Sequence, residues 1–189
     1  MGYLALKEKD MSDYKDLYNS IPVAPMALVV LESAMPLGKN IDAIISKKRK
    51  HAREKFVNNP AITDYYKKSY ITDVVCARFG TGEAKVDIHE SVRGKDIFIL
   101  VDVCNHSIEY SMAGEINHMS PDDHFQNIKR AIAASGDKAK RITVIMPFLY
   151  ESRQHRRTAR ESLDCAIALQ ELVAMGVDNI ITFDAHDAR

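Results

Sequence analysis

The sequence has no net charge, since 26 lysines and arginines are balanced by 26 aspartates and glutamates. No overall field therefore draws the chain to nucleic acid, and any anion site has to be assembled locally. Long apolar stretches are missing too. The start, Met1 to Leu6, runs straight into Lys7, Glu8, Lys9 and Asp10, too charged and too short for a signal sequence or a membrane span. Leu6 also stands where a myristoylation pattern needs Ser or Thr. Cysteine is scarce: Cys76, Cys104 and Cys165 are odd in number and widely spaced, with no CxxC pair, which argues for reduced, mostly buried thiols rather than a disulfide framework. There is no internal repeat or low-complexity tract, no P-loop and no GxGxxG, so the ordinary nucleotide fingerprints are absent. These absences lead us to expect a soluble, cytoplasmic protein with neither a membrane nor a nucleic acid as partner.

With 46% apolar residues among 189, the chain can bury one sizeable core. Residues 1–25 mix Lys, Asp, Tyr and Leu and end on Ile21-Pro22-Val23-Ala24-Pro25, whose prolines disfavour regular structure; they read as an arm before a domain at 26–189. Residues 27–31 are apolar on both alternating faces, as in a strand covered on two sides. A helix follows from Gly38 to about Val57, carrying Ile41, Ile44 and Ile45 at helical spacing. Its basic cluster, Lys47 to Arg53, reads as a solvated helix end rather than a phosphate or nucleic-acid site. Residues 58–69 look like an insertion. A strand at 71–77, a turn at Gly80-Thr81-Gly82 and alternation at 84–88 predict a hairpin with one wet face. From residue 96 the order is strand (96–101), polar loop, helix from Pro121 to Gly136, strand (142–146), helix (161–175) and strand (179–183). The second of these helices presents Leu163, Ala166, Ile167, Val173 and Ala174. This alternation predicts an α/β fold, a parallel sheet with helices on both faces plus a short β-hairpin, with ligands beyond the carboxyl ends of the strands.

Three places there carry chemistry. The loop after Pro147 holds Arg153, Arg156, Arg157 and Arg160, and guanidinium forks suit a polyphosphate, although a solvated arginine loop has the same composition. Asp184 and His186 project to one side after the last strand; they either hold a divalent ion or phosphate, or merely cap the strand. The hairpin tip carries Phe79 and Glu83, which could stack on a base and accept from an amine, or simply pack.

Taken in order, these segments resemble the N-terminal half of the ribose-phosphate pyrophosphokinases. Phe79-x-x-Gly82-Glu83 followed by Glu90-Ser91-Val92-Arg93-Gly94 is similar to that family's Phe-x-Asp-Gly-Glu…Glu-Ser-Val-Arg-Gly segment. Residues 140–147, Ser152-Arg153-Gln154, Ala159-Arg160-Glu161 and residues 182–186 follow in the family's order at closely similar spacing. The resemblance implies a type I phosphoribosyltransferase-like domain of an enzyme that uses magnesium and ATP to convert ribose 5-phosphate into phosphoribosyl pyrophosphate. It assigns Phe79 and Glu83 to adenine, Arg153 and Gln154 to the ATP phosphates and His186 to a magnesium site, and it names no catalytic residue in this half. It further implies a homo-oligomer in which the hairpin serves a neighbour's ATP site. The chain stops before the family's ribose-phosphate loop and mobile catalytic loop, so the 189 residues alone are expected to be inactive.

Departures from the family pattern are Thr81 in place of Asp, His155 for the Asp after Arg-Gln, Ser162 for Pro, and a longer segment from Cys104 to Met119. Thr81 and His155 keep a second expectation in play, a non-catalytic pyrophosphokinase-associated regulatory subunit. A phosphoribosyltransferase-like module for another ligand is a third.

Overall fold

The carboxyl ends of four parallel strands set where ligands can sit in this protein, and those strands order the rest of the chain in the computed structural model. It describes residues 21–55, 62 and 64–187. Of the arm expected at 1–25, residues 1–20 lie outside that range, as do 56–61 and 63 of the segment around the expected insertion. Strand β1 (Met26–Val30) runs through a short 3-10 turn (Glu32–Ala34) into helix α1 (Met35–Lys55). An antiparallel hairpin follows, β2 (Val74–Arg78) paired with β3 (Ala84–Ile88). Then come β4 (Asp96–Leu100), a second hairpin of β5 (Glu109–Met112) and β6 (Glu115–His118), and α2 (Pro121–Ser135). The chain closes through β7 (Arg141–Ile145), α3 (Asp164–Ala174) and β8 (Asn179–Ile181).

The main sheet has the order β1-β4-β7-β8, all parallel. Because side chains alternate along a strand, its two faces bury different sets. Val29, Ile97, Ile99, Val144 and Met146 pack with Phe125, Ile128 and Ile132 of α2 and Ala168 and Leu172 of α3. Leu28, Val30 and Leu100 face the other way, against Ile41 and Ile45 of α1. Helices therefore cover both faces, as the apolar runs predicted. Each fully buried Ile or Leu among them stabilises the fold by roughly 1.5–3 kcal/mol. Close approach of α1 to β1 requires a glycine, since a Cβ at Gly38 would lie 2.7 Å from Val30 Cγ2.

Beyond β1, Ile71 bridges Leu28 in parallel, so the chain leaves β1 outward through α1 and inward, in space, towards β4. Between the carboxyl ends of β1 and β4 lies the point where the winding reverses, the usual crevice of such sheets. Ser33 and Asp102 meet there, the Asp102 N–H donating to Ser33 Oγ at 3.1 Å.

Four expectations need correction. The stretch after β4, read as a polar loop, contains the β5–β6 hairpin, turned by Ala113 (φ 53°) and Gly114 (φ 88°). Helix α3 begins at Asp164 rather than at 161, because residues 161–163 are held by the arginine loop: Gln154 Nε2 donates to Ser162 O at 2.7 Å and Thr158 Oγ1 to Glu161 at 3.3 Å. Its buried face is Cys165, Ala168 and Leu172, leaving Ile167 and Val173 exposed; a helix apolar nearly all round gives its period no single face to choose. The basic cluster is also not uniformly solvated. Arg49 lies 4.6 Å from the Tyr65 ring and 4.4 Å from the Tyr70 ring, with Asp64 3.8 Å away.

Candidate functional site

The end of β7 delivers the arginine loop. Pro147 O accepts from the backbone N–H groups of Phe183 (3.1 Å) and Asp184 (2.9 Å), and the Leu149 N–H donates to Asp184 O at 3.0 Å. The loops after β7 and β8 are thereby stitched together, which places Arg153 and the Asp184–His186 segment on one side of the sheet end. Tyr150 anchors the start of the loop on α2. Its ring stacks on Phe125 with centroids 4.3 Å apart, and its hydroxyl donates to Asp122 Oδ1 at 2.7 Å.

Just before Arg153 the backbone is strained. Glu151 adopts φ 55°, in the left-handed region that costs a side-chain-bearing residue free energy, and the Gln154 N–H closes the turn onto Glu151 O at 2.9 Å. Burial pushes the Glu151 carboxyl above its ordinary range, with Asp164 and Asp122 adding to the effect. Inside this turn Ser152 is buried, and among the described residues its hydroxyl has no hydrogen-bond partner. The exposed guanidinium of Arg153 is the group of this turn that suits a bound oxyanion.

Arg153 is exposed at this end, and the loop after β4 leaves the same end of the sheet, where the Cys104 N–H donates to Asp102 Oδ1 at 3.0 Å. Gln154, in contrast, directs its amide to Ser162 O (2.7 Å) and Arg156 O (3.3 Å), where it holds the loop in shape. His155 donates its Nδ1–H to Ser152 O (3.0 Å) and pairs with Asp187 at 3.3 Å through Nε2. His186 is exposed, with its ring 5.7 Å from that of His155. The Asp187 pairing was not anticipated; the fourth residue of the Asp-Ala-His-Asp run was its only signal.

Phe79 and Glu83 form a separate cluster. The Phe79 N–H donates to Glu83 O at 2.7 Å, and Thr81 Oγ1 donates to Glu83 Oε2 at 3.0 Å. Among the described residues no hydrogen bond or ion pair links Phe79 or Glu83 to Arg153, Gln154 or His186. The structure thus brings three predicted residues to one sheet end and sets the other two on the hairpin.

The thiols are less uniformly buried than expected: Cys165 is buried, Cys76 partly so and Cys104 exposed. Burial pushes all three above the ordinary range, Cys76 to about 11. A maleimide at pH 8 is therefore expected to label Cys104 first and to reach Cys76 and Cys165 only on unfolding, which mass spectrometry of timed digests would read. Faster labelling of Cys76 would contradict this packing.

Among the described residues no three His, Cys, Asp or Glu side chains converge on a metal-binding arrangement, and no helix is long and apolar enough to cross a membrane. Magnesium usually takes only one or two protein groups and completes its shell with water and substrate phosphates. Asp184 and His186 fit that limited role.

Residues 26–176 match the family defined as the N-terminal domain of ribose phosphate pyrophosphokinase. Ribose-phosphate pyrophosphokinase 1 of Schizosaccharomyces pombe is 36% identical over 115 residues, 60% of this chain and 25% of that protein. The Burkholderia pseudomallei ribose-phosphate pyrophosphokinase is 36% identical over 112 residues, 58% of this chain and 31% of that protein. The chain thus spans about a quarter to a third of the length of these relatives. The phosphoribosylpyrophosphate synthetase of Mycobacterium smegmatis has the same fold, with a TM-score of 0.61 and 23% identity over 86% of this chain and 43% of its own. The family match covers most of the chain and the parallel sheet is shared, and the chain belongs to the family of ribose phosphate pyrophosphokinase N-terminal domains.

Proposed function

We propose that this chain is the ATP-binding half of an enzyme that transfers a pyrophosphoryl group from ATP to ribose 5-phosphate, giving phosphoribosyl pyrophosphate and AMP. The observation that carries the reading is the strained Glu151 turn, which presents exposed Arg153 on a loop hydrogen-bonded to the loop of Asp184 and His186. In such a reaction the anomeric hydroxyl oxygen bonds to the β-phosphorus, the bond from that phosphorus to the α,β-bridging oxygen breaks, and AMP leaves with the bridging oxygen while the hydroxyl proton passes to water. Charge accumulates on phosphate oxygens, so positioning and electrostatic stabilisation supply most of the catalysis.

Each group then has a role. Arg153 binds phosphate oxygens, and Gln154 maintains the loop and contacts the phosphates through what remains of its amide. His186 with Asp184 would hold magnesium arriving on the nucleotide, and that ion would neutralise developing charge. Phe79 and Glu83 contact adenine. Their separation from Arg153 within one chain supports a homo-oligomer in which the hairpin serves a neighbouring copy's site. We place the domain at 26–189 after an N-terminal extension, with ribose 5-phosphate bound mainly by a second half, in a cytoplasmic enzyme.

The test is AMP formation from ATP, magnesium and ribose 5-phosphate by the complete natural protein, with His186→Ala beside it. Turnover is expected in the wild type and its loss in the variant, while the 189 residues alone stay inactive. A folded, complete protein without turnover would favour the regulatory-subunit reading. The observation behind that alternative is that His155 and Arg156 are tied to Asp187 at 3.3 and 4.0 Å rather than left open for ligand.

A further inference from the structure

The β5–β6 hairpin belongs to none of the motifs that place the chain in its family, yet it is docked on the tip of the β2–β3 hairpin. The Ala113 N–H, in the β5–β6 turn, donates to Gly80 O at 3.0 Å. Gly82 (φ 90°) is covered so closely by Met112 that an added Cβ would lie 2.7 Å from its Sδ. Below the tips, the Tyr110 ring lies under the Arg78 guanidinium at 4.1 Å. Arg78 in turn donates to Gly82 O at 2.7 Å and pairs with Asp123, on α2, at 3.0 Å. Beneath these contacts the two hairpins enclose only a small cavity, about 60 Å³, lined by Cys76, Arg78, Tyr110 and His124 among others.

An exposed hairpin tip bound only to itself samples many conformations, and each must be given up when a ligand binds. Here three contacts from a second hairpin and one from a helix fix residues 78–82. We propose that the β5–β6 hairpin is a brace that holds the Phe79–Glu83 tip in its nucleotide-contacting conformation, with Tyr110 as the principal positioning residue. The inference rests on the reading of Phe79 and Glu83 as adenine contacts. Tyr110 does not touch the base; it acts through Arg78 and the Gly82 carbonyl.

The experiment uses the complete natural protein and measures kcat and separate KM values for ATP and ribose 5-phosphate. Tyr110→Leu is expected to raise the KM for ATP roughly tenfold, the size of one partly buried cation–π contact. Its kcat and its KM for ribose 5-phosphate are expected to stay within about twofold, since uniform binding of one substrate is what is lost. Tyr110→Phe keeps the ring and is expected to restore wild-type values. Should Tyr110→Leu fail to fold, Met112→Ala makes the same comparison through the contact on Gly82. An unchanged KM for ATP, or an equal rise for ribose 5-phosphate, overturns the brace. Phe79→Ala, run in parallel, separates the two ideas: a raised KM for ATP there with none in Tyr110→Leu defeats the brace alone, and no change in Phe79→Ala defeats both.

Discussion

Asp123→Ala is expected to destabilise the protein by about 2–4 kcal/mol, the sum of a lost helix cap and a lost, partly buried charged hydrogen bond. The urea unfolding midpoint would read it. Asp123 accepts from the Ser120 N–H and hydroxyl, both at 3.0 Å, and its own N–H donates to Ser120 Oγ at 3.1 Å, a reciprocal cap on α2. The same carboxylate holds Arg78, whose side chain is 11% exposed and whose Nη2 has no partner among the described residues. Removing it takes the cap, worth about 1 kcal/mol, and leaves a partly buried guanidinium without its charged partner. Asp123→Asn, which keeps much of the cap and loses the charge, should fall between. Burial pushes this carboxyl up, but hydrogen bonds from Ser120 and Arg78 outweigh it and hold the group below its ordinary range. A folded pKa below the unfolded value of about 3.9 means the stabilisation is present above that value and is lost as the pH falls through the folded one. The gap between wild type and Asp123→Asn should therefore be full at pH 7 and close in strong acid. A pH-independent gap would mean that the cap's geometry, not its charge, is what matters.

Much of the architecture was legible because its signals are local. Both-face apolar runs at β1 and β4 mark strands buried on two sides, and Ser120-Pro121-Asp122-Asp123 states a helix start in capping chemistry. The α3 start was not legible, since Glu161 and Ser162 answer to Thr158 and Gln154 rather than to the helix. The β5–β6 hairpin does carry a signal: Tyr110 and Met112 alternate with Glu109 and Ser111 before Ala113-Gly114. It was masked by the polar side chains of a hairpin that packs mainly on another hairpin. At the site, residue types announced Arg153 and His186, whereas the orphaned Ser152 hydroxyl and the His155–Asp187 pair depend on how two loops meet in space. Composition cannot express that meeting.

The site's position follows from the winding. Three loops, after β4, β7 and β8, leave the same end of one sheet, which brings Asp102, Arg153 and Asp184 to that end although they are far apart in sequence. The N-terminal hairpin reaches this end only indirectly, by way of α2: Arg78 binds Asp123 while the adjacent Asp122 accepts from Tyr150 at the base of the arginine loop. One helix N-terminus therefore sets the position of both candidate ligand-contacting segments.

In the complete protein, Arg153→Ala is expected to lower kcat/KM for AMP formation about 10²–10³-fold, the usual cost of removing one preorganised donor from developing oxyanion charge. The four arginines of the loop are not equivalent. Arg153 follows the strained Glu151 turn on the loop tied to Asp184, Arg156 is 4.0 Å from Asp187, and Arg157 and Arg160 are exposed farther along. Arg157→Ala should accordingly change kcat/KM by no more than about threefold, the scale of an exposed charge screened by solvent. Arg153→Lys tests the geometry as well as the charge: an ammonium keeps the positive charge without the planar fork, so roughly a tenfold loss is expected to remain. Pre-steady-state AMP formation would show whether the loss lies in the chemical step, which transition-state stabilisation requires, or only in ATP binding. If Arg157→Ala proves as damaging as Arg153→Ala, the loop acts as a diffuse positive surface and the strained turn has no special part in it.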